Sequence, residues 1–220
     1  MRKVAPTDNN VNTAQRGSVR RQRRTPEEAR RLILDTAQEL IARTGPEGLR
    51  LQEIAAAAGI SHPLILHHFG SREGLVRALT QQAVTELRDR LLAALGSEEY
   101  SLGQQLDRVF DVFRDGLAQR LAWLATVDPQ GQQTGTAMVM RDIADGLHAR
   151  RVAVAPQGAA IERADTESLI HLIAAAAFGD AIFGAQLRRS AGLEQSSETE
   201  QRFRSWFASL IREHTAKASK

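Results

Sequence analysis

The sequence predicts an all-α fold, and three observations carry that prediction. Apolar residues recur three and four positions apart through nearly every long segment, the spacing that keeps them on one helical face. No run of alternating β-branched residues interrupts them. Capping residues and Gly or Pro stops mark where the periodic stretches begin and end. With 220 residues the chain has material for one or two domains and a sizeable core.

Residues 1–24 are polar, rich in Asn, Gln, Thr and Arg, and lack either periodicity, so they read as a disordered arm ending in Arg20, Arg21, Arg23 and Arg24. Order is expected from Thr25. Thr25 can cap a helix, Pro26 suits its first turn, and Glu28 completes a capping box. Leu32, Ile33, Ala37, Leu40 and Ile41 then repeat at helical spacing until Gly45 and Pro46. Short helices follow at Leu51 to Ala58 and Pro63 to Phe69, and a long one from about Ser71 to Leu95. Leu106, Val109, Phe110, Phe113, Leu117, Leu121 and Leu124 predict a single helix from Leu102 to Val127, broken by Asp128-Pro129. Helices from about Thr136 to Val152, Thr166 to Arg189 and Ser197 to Lys217 complete the chain.

Composition excludes several classes. There is no cysteine, so disulfides and thiolate metal sites are ruled out, and a reducing cytoplasm fits. The first 25 residues hold no apolar run of the kind a secretory signal needs, and the most apolar stretch, Ser168 to Gly179, is too short to span a bilayer. No membrane partner is expected. Glycine-rich phosphate loops, nucleophile–base pairs with context and carboxylate–histidine metal spacings are all missing, so neither catalysis nor a cofactor is expected. His67 and His68 are neighbours that face different ways on a helix, which disfavours a metal shared with His62. Charge is uneven: Met1 to Arg31 holds nine Lys/Arg against three Asp/Glu, while the remainder holds 20 against 23. A cationic end on a slightly anionic body suits an anionic polymer, although a solvated tail would have the same composition.

The informative segment is Leu51 to Phe69, LQEIAAAAGISHPLILHHF. A helix-turn-helix needs two short helices joined by a tight turn. Gly59 supplies the turn. Ala55 is small enough for close crossing, Ile54, Ala58, Ile60 and Ile65 sit at inner-corner offsets, and Ser61 is placed to cap the second helix. An αα-corner without DNA would share these features; the basic end upstream tips the balance towards phosphate.

Taken together, a first helix, IAAAAGIS, a short helix ending HHF, and GSREGL opening a long helix resemble the TetR family of regulators over about Thr25 to Leu79. The resemblance implies an N-terminal three-helix helix-turn-helix head followed by a helical effector-binding and dimerisation domain: residues 1–24 as arm, 25–71 as DNA-binding domain, 72–220 as body. It implies a cytoplasmic homodimer on a double-stranded operator, a repressor released by a small-molecule effector. A non-specific architectural DNA binder is the alternative.

The departures from the family pattern are informative. Leu66 stands where the family usually has a tyrosine that touches phosphate, Arg50 replaces a threonine, and Arg72 replaces a lysine. The resemblance assigns DNA contact to Arg50, Ser61, His62, Pro63, Leu64, His67 and Arg72, with the early residues of the second helix meeting base edges. For Leu66, packing is the favoured reading, and His68 falls at a core offset. Arg20, Arg21, Arg23 and Arg24 either follow phosphates or float. The body is expected to line an apolar cavity with Phe113, Trp123, Met138, Met140, His148 and His171. Pairing of two copies is expected through Leu169, Ile173, Phe178, Ile182, Phe203, Trp206, Phe207 and Leu210.

Overall fold

The computed structural model describes residues 24–45, 49–96, 100–156 and 160–217, so Arg20, Arg21 and Arg23 lie outside the described residues. Every element within these ranges is helical: α1 (Pro26–Thr44), α2 (Leu51–Ala58), α3 (His62–Phe69), α4 (Arg72–Leu95), α5 (Leu102–Val112), α6 (Leu117–Val127), α7 (Pro129–Val154), α8 (Arg163–Gly179), a π-helical turn (Asp180–Gly184), α9 (Ala185–Ser190) and α10 (Ser197–Lys217).

Local chemistry sets the ends of the head helices. The Thr25 hydroxyl accepts from the Glu28 amide while the Glu28 carboxylate accepts from the Thr25 amide, the reciprocal box read from the sequence. The same device starts α5, between Ser101 and Gln104. Ser71 caps α4 through the Gly74 amide. Helix α1 buries Ile33, Ala37 and Ile41 against α2 and α4.

Three boundaries differ from the sequence expectation. The stretch Leu102 to Val127 is two helices, because Asp115 and Gly116 adopt positive φ (57° and 81°) and turn the backbone between Val112 and Leu117. Asp128-Pro129 ends α6 but also begins α7: the Asp128 carboxylate accepts from the Gly131 amide, and Pro129 fills the first helical position. α7 therefore starts seven residues before the expected Thr136. The run from Arg163 to Ser190 contains the π turn, and Arg188 bridges Asp180 and Glu200 across it at 2.7 and 3.0 Å. That run is 28 residues, and its mean hydropathy of 1.6 meets the length and composition needed to cross a membrane, unlike the shorter stretch measured on the sequence. Its Asp180–Arg188 pair and its packing on α5 and α7 seat it against the body instead.

α4 is the spine. Leu75 and Leu79, near its start, lie in the core under the head, while Leu87 and Leu91, further along, pack with α5, α6 and α7. Aromatic packing joins the closing helix to this core: Phe110 of α5 meets Phe203 and Phe207 of α10 edge-on, both at 5.9 Å. Arg204 is buried between them, over the Phe110 ring and paired with Asp111 at 2.9 Å.

Candidate nucleic-acid interface and effector cavity

The corner between α2 and α3 follows from three residues. Gly59 takes the left-handed conformation (φ 63°, ψ 37°) that closes α2. Its amide donates to the Ala56 carbonyl (3.2 Å) and the Ile60 amide to that of Ala55 (3.0 Å), a Schellman ending that turns the chain sharply. Ala55 is buried where the helices cross, with Ile54, Ala58 and Ile65 beneath the corner and Ile60 half-buried. The close of the head is equally demanding. A Cβ on Gly74 would stand 1.9 Å from the Phe69 carbonyl oxygen, so α3 and α4 meet as tightly as they do only because position 74 is glycine.

With Ile65 facing inward, the remaining α3 residues face away from the core to varying degrees. Pro63 and His67 are exposed, and His62 and Leu64 are half-buried. Ser61 corrects the sequence expectation: its hydroxyl makes no capping bond and is exposed at the start of the helix. Leu66 is a second correction, since 38% of its surface is exposed and it does not pack inward. His68 is half-buried, and its carbonyl accepts from Arg30, whose guanidinium also lies 4.5 Å from the centre of the Phe69 ring. Arg50 is exposed and paired with Glu53 at 3.4 Å. Arg72 is exposed, yet its Nε donates to the Leu49 carbonyl and so braces the entry to α2. Arg24 is exposed just before α1.

The body encloses a cavity of about 680 Å³ between α4, α5, α6, α7 and α8. Its walls are mostly aliphatic, with Phe113, Phe178, Met140, Gln132, Thr136, Glu167 and His171 among them. Of the six residues expected to line it, Phe113, Met140 and His171 do. Trp123 does not: the turn at Asp115 and Gly116 gives α6 its own orientation, and Trp123 faces α1 beside Gln38 and Ile41. Met138 is 63% exposed. His148 points to Thr166, its Nδ1 3.1 Å from the hydroxyl. A depression of similar volume between α1 and the start of α6 carries Asp35, Glu39 and Asp115 on its rim, a charged surface rather than an enclosed apolar one.

The residues expected at a pairing surface divide into three groups. Leu169 and Phe207 are buried in their own chain. Ile173 and Phe178 line the cavity, and Ile182 packs half-buried against the core. Phe203, Trp206 and Leu210 are exposed along one side of α10, and the sequence reading missed their companions Phe183 and Leu187. These two were hidden by the π turn, whose extra residue rotates everything after it relative to a regular helix.

A compact corner that shows one short helix to solvent, mounted on an all-helical body with an internal cavity, defines the class of helix-turn-helix regulators with a separate ligand chamber. Residues 33–79 match the model of bacterial regulatory proteins of the tetR family. Over 101 residues the chain is 34% identical to the HTH-type transcriptional regulator BetI of Escherichia coli O17:K52:H18, covering 44% of this chain and 52% of that protein. The chain thus spans about half the length of the curated relatives it matches. Among solved structures, a transcriptional regulator from Rhodococcus sp. Rha1 superposes with a TM-score of 0.63 at 16% identity, covering 87% of this chain and 97% of the other. A tetR-family transcriptional regulator from Streptomyces coelicolor does so with a TM-score of 0.60 at 22% identity, covering 88% and 87%. These superpositions establish the fold, and the match over the head places the chain in the TetR family.

Proposed function

We propose that the chain is a sequence-specific transcription regulator: a cytoplasmic homodimer that represses from a near-palindromic operator and leaves it when a small molecule fills the body cavity. The observation that carries this reading is the outward row on α3, held away from the core by Ile65 and by the Gly59 corner. In a major groove, His62 would donate to a base acceptor and Leu64 would touch a thymine methyl, while Ser61, His67, Arg50 and Arg72 would meet phosphates around them. Pro63 adds no donor and rigidifies the first turn. Arg24 continues the basic arm towards the same duplex.

Two copies would pair through Phe183, Leu187, Phe203, Trp206 and Leu210, setting their reading helices roughly 34 Å apart to reach successive grooves. The cavity and the head share α4, so a ligand that favours one placement of that helix changes the spacing.

Selection of bound DNA from a random pool tests the reading. A symmetric site should emerge; recovery of pools with no preferred sequence would leave only non-specific binding. His62→Ala and Leu64→Ala should each weaken the selected site relative to scrambled DNA, by about 1–3 kcal/mol for a true base contact, measured by titration at fixed salt.

A further inference from the structure

We propose that the cavity takes an uncharged, mostly apolar molecule carrying one hydrogen-bonding group, and selects against both anionic and cationic amphiphiles. This rests on reading the cavity as the effector site. Its volume of about 680 Å³ lies within the range of small-molecule sites. Leu87, Leu91, Val109, Leu121, Ile143 and Ile170 make its walls aliphatic.

The charge inventory of the walls decides the class. No lysine or arginine lines the cavity, so an anion entering it would exchange water for hydrocarbon and find no counter-charge. The lining carboxylate, Glu167, adds repulsion. A cation fares little better. Glu167 Oε1 already accepts from Arg163 Nε at 2.8 Å, and Arg163 also holds Asp145 at 2.7 Å, so the carboxylate is neutralised by its own helix. The two lining phenyl rings, Phe113 and Phe178, meet each other edge to face at 5.7 Å rather than forming a cage.

What remains is modest polar capacity. Gln132 Nε2 donates to the Thr136 hydroxyl at 2.9 Å, which leaves the Gln132 carbonyl oxygen as an acceptor and the Thr136 hydroxyl hydrogen as a donor. The ring of His171, also on the wall, makes no hydrogen bond to another described residue. One hydroxyl or carbonyl group on an apolar body matches that supply.

The test uses the full chain with three probes of one length and different charge: 1-decanol, decanoate and decyltrimethylammonium, each below its micelle-forming concentration. Calorimetric titration should show the alcohol binding at least tenfold tighter than either ion. An ion that equals or exceeds the alcohol overturns the proposal, as does binding of none of the three. Ala122→Phe and Ala174→Phe fill the cavity from two helices. Either variant that keeps a cooperative helical melt should lose alcohol binding; normal binding by a folded variant overturns the proposal. Operator retention is measured alongside. Alcohol that binds without altering operator affinity supports the ligand class and sinks the effector reading. Operator release by a charged probe that binds best sinks the class and keeps the effector reading.

Discussion

At the scale of single residues, the head shows how small differences in side chain separate scaffold from contact. Ile65 and Leu66 are neighbours of similar size, yet one is fully buried and the other 38% exposed. Ile65 holds the corner; Leu66 offers a surface and no hydrogen bond. The family resemblance puts a phosphate-touching tyrosine at this position, so Leu66→Tyr should strengthen operator binding without changing sequence preference. One added hydrogen bond is worth about 0.5–1.5 kcal/mol, hence roughly a two- to tenfold gain in a titration at fixed salt. No gain would place the side chain away from the backbone of the duplex. The site was readable here because its determinants are local. Gly59 and the Thr25 to Glu28 box announce themselves within a few residues of sequence. Ser61 misled for a related reason: a serine before a helix has the right chemistry to cap, but whether its hydroxyl turns inward depends on the whole turn.

At the scale of elements, interlocks that span distant positions govern the body. Asp165 at the start of α8 accepts from Arg151 of α7 and from His214 of α10, each at 2.6 Å. The His214 contact first, then Arg151, holds the Asp165 carboxyl below its ordinary range. The folded protein therefore binds fewer protons at this site than the unfolded chain, whose aspartate titrates near ~3.9. The contribution is fully present above that value and is lost as pH falls through the lower folded value. Asp165→Asn should flatten the decline in melting temperature between about pH 5 and pH 3, checked by thermal melts of both proteins across that range. An unchanged slope would remove Asp165 from the account. The second element-scale prediction concerns α10. Trp206 keeps 61% of its surface exposed while stacking on Phe203, a large apolar group with no cover in its own chain. Trp206→Glu should halve the mass seen by sedimentation and weaken the operator complex, with a cost of about 2 kcal/mol or more typical of a central aromatic anchor. A dimer of unaltered strength would move the interface elsewhere.

Little of this element-scale arrangement could be read from sequence. Apolar spacing runs unbroken through Phe113 and Leu117, so nothing in the periodicity reveals the turn between them; only the tolerance of Asp115 and Gly116 for positive φ hints at it. Once that turn is missed, Phe113 and Trp123 appear to share a face, and Trp123 is placed in a cavity it does not line. The π turn at Asp180 to Gly184 has the same effect on Phe183 and Leu187, because a regular helical wheel predicts the wrong face after an inserted residue. Fold class and head survived because they rest on short-range patterns; the cavity and pairing surface depend on how long helices cross.

Across the whole molecule, Arg120 joins three parts. From α6 it donates to Gln38 of α1 at 3.0 Å and to Glu86 of α4 at 2.6 Å, and Glu86 in turn holds Arg90 at 2.6 Å. Its neighbours Leu121 and Ala122 line the cavity. One short helix thus faces the ligand chamber on one side and the head on the other. Arg120→Met should leave operator binding within a few-fold of normal when no effector is present, yet shrink the effector-induced loss of affinity, a coupling of about 1–3 kcal/mol in regulators of this kind. Full coupling in the variant would show that α4 alone transmits the signal. The uncovered row on α9 and α10 has a further consequence. If a lone chain cannot hold a two-fold site, then while most copies are apart, occupancy of that site rises with the square of their concentration. A modest fall in synthesis would then empty the site sharply, so dilution alone would act as a second way of switching off.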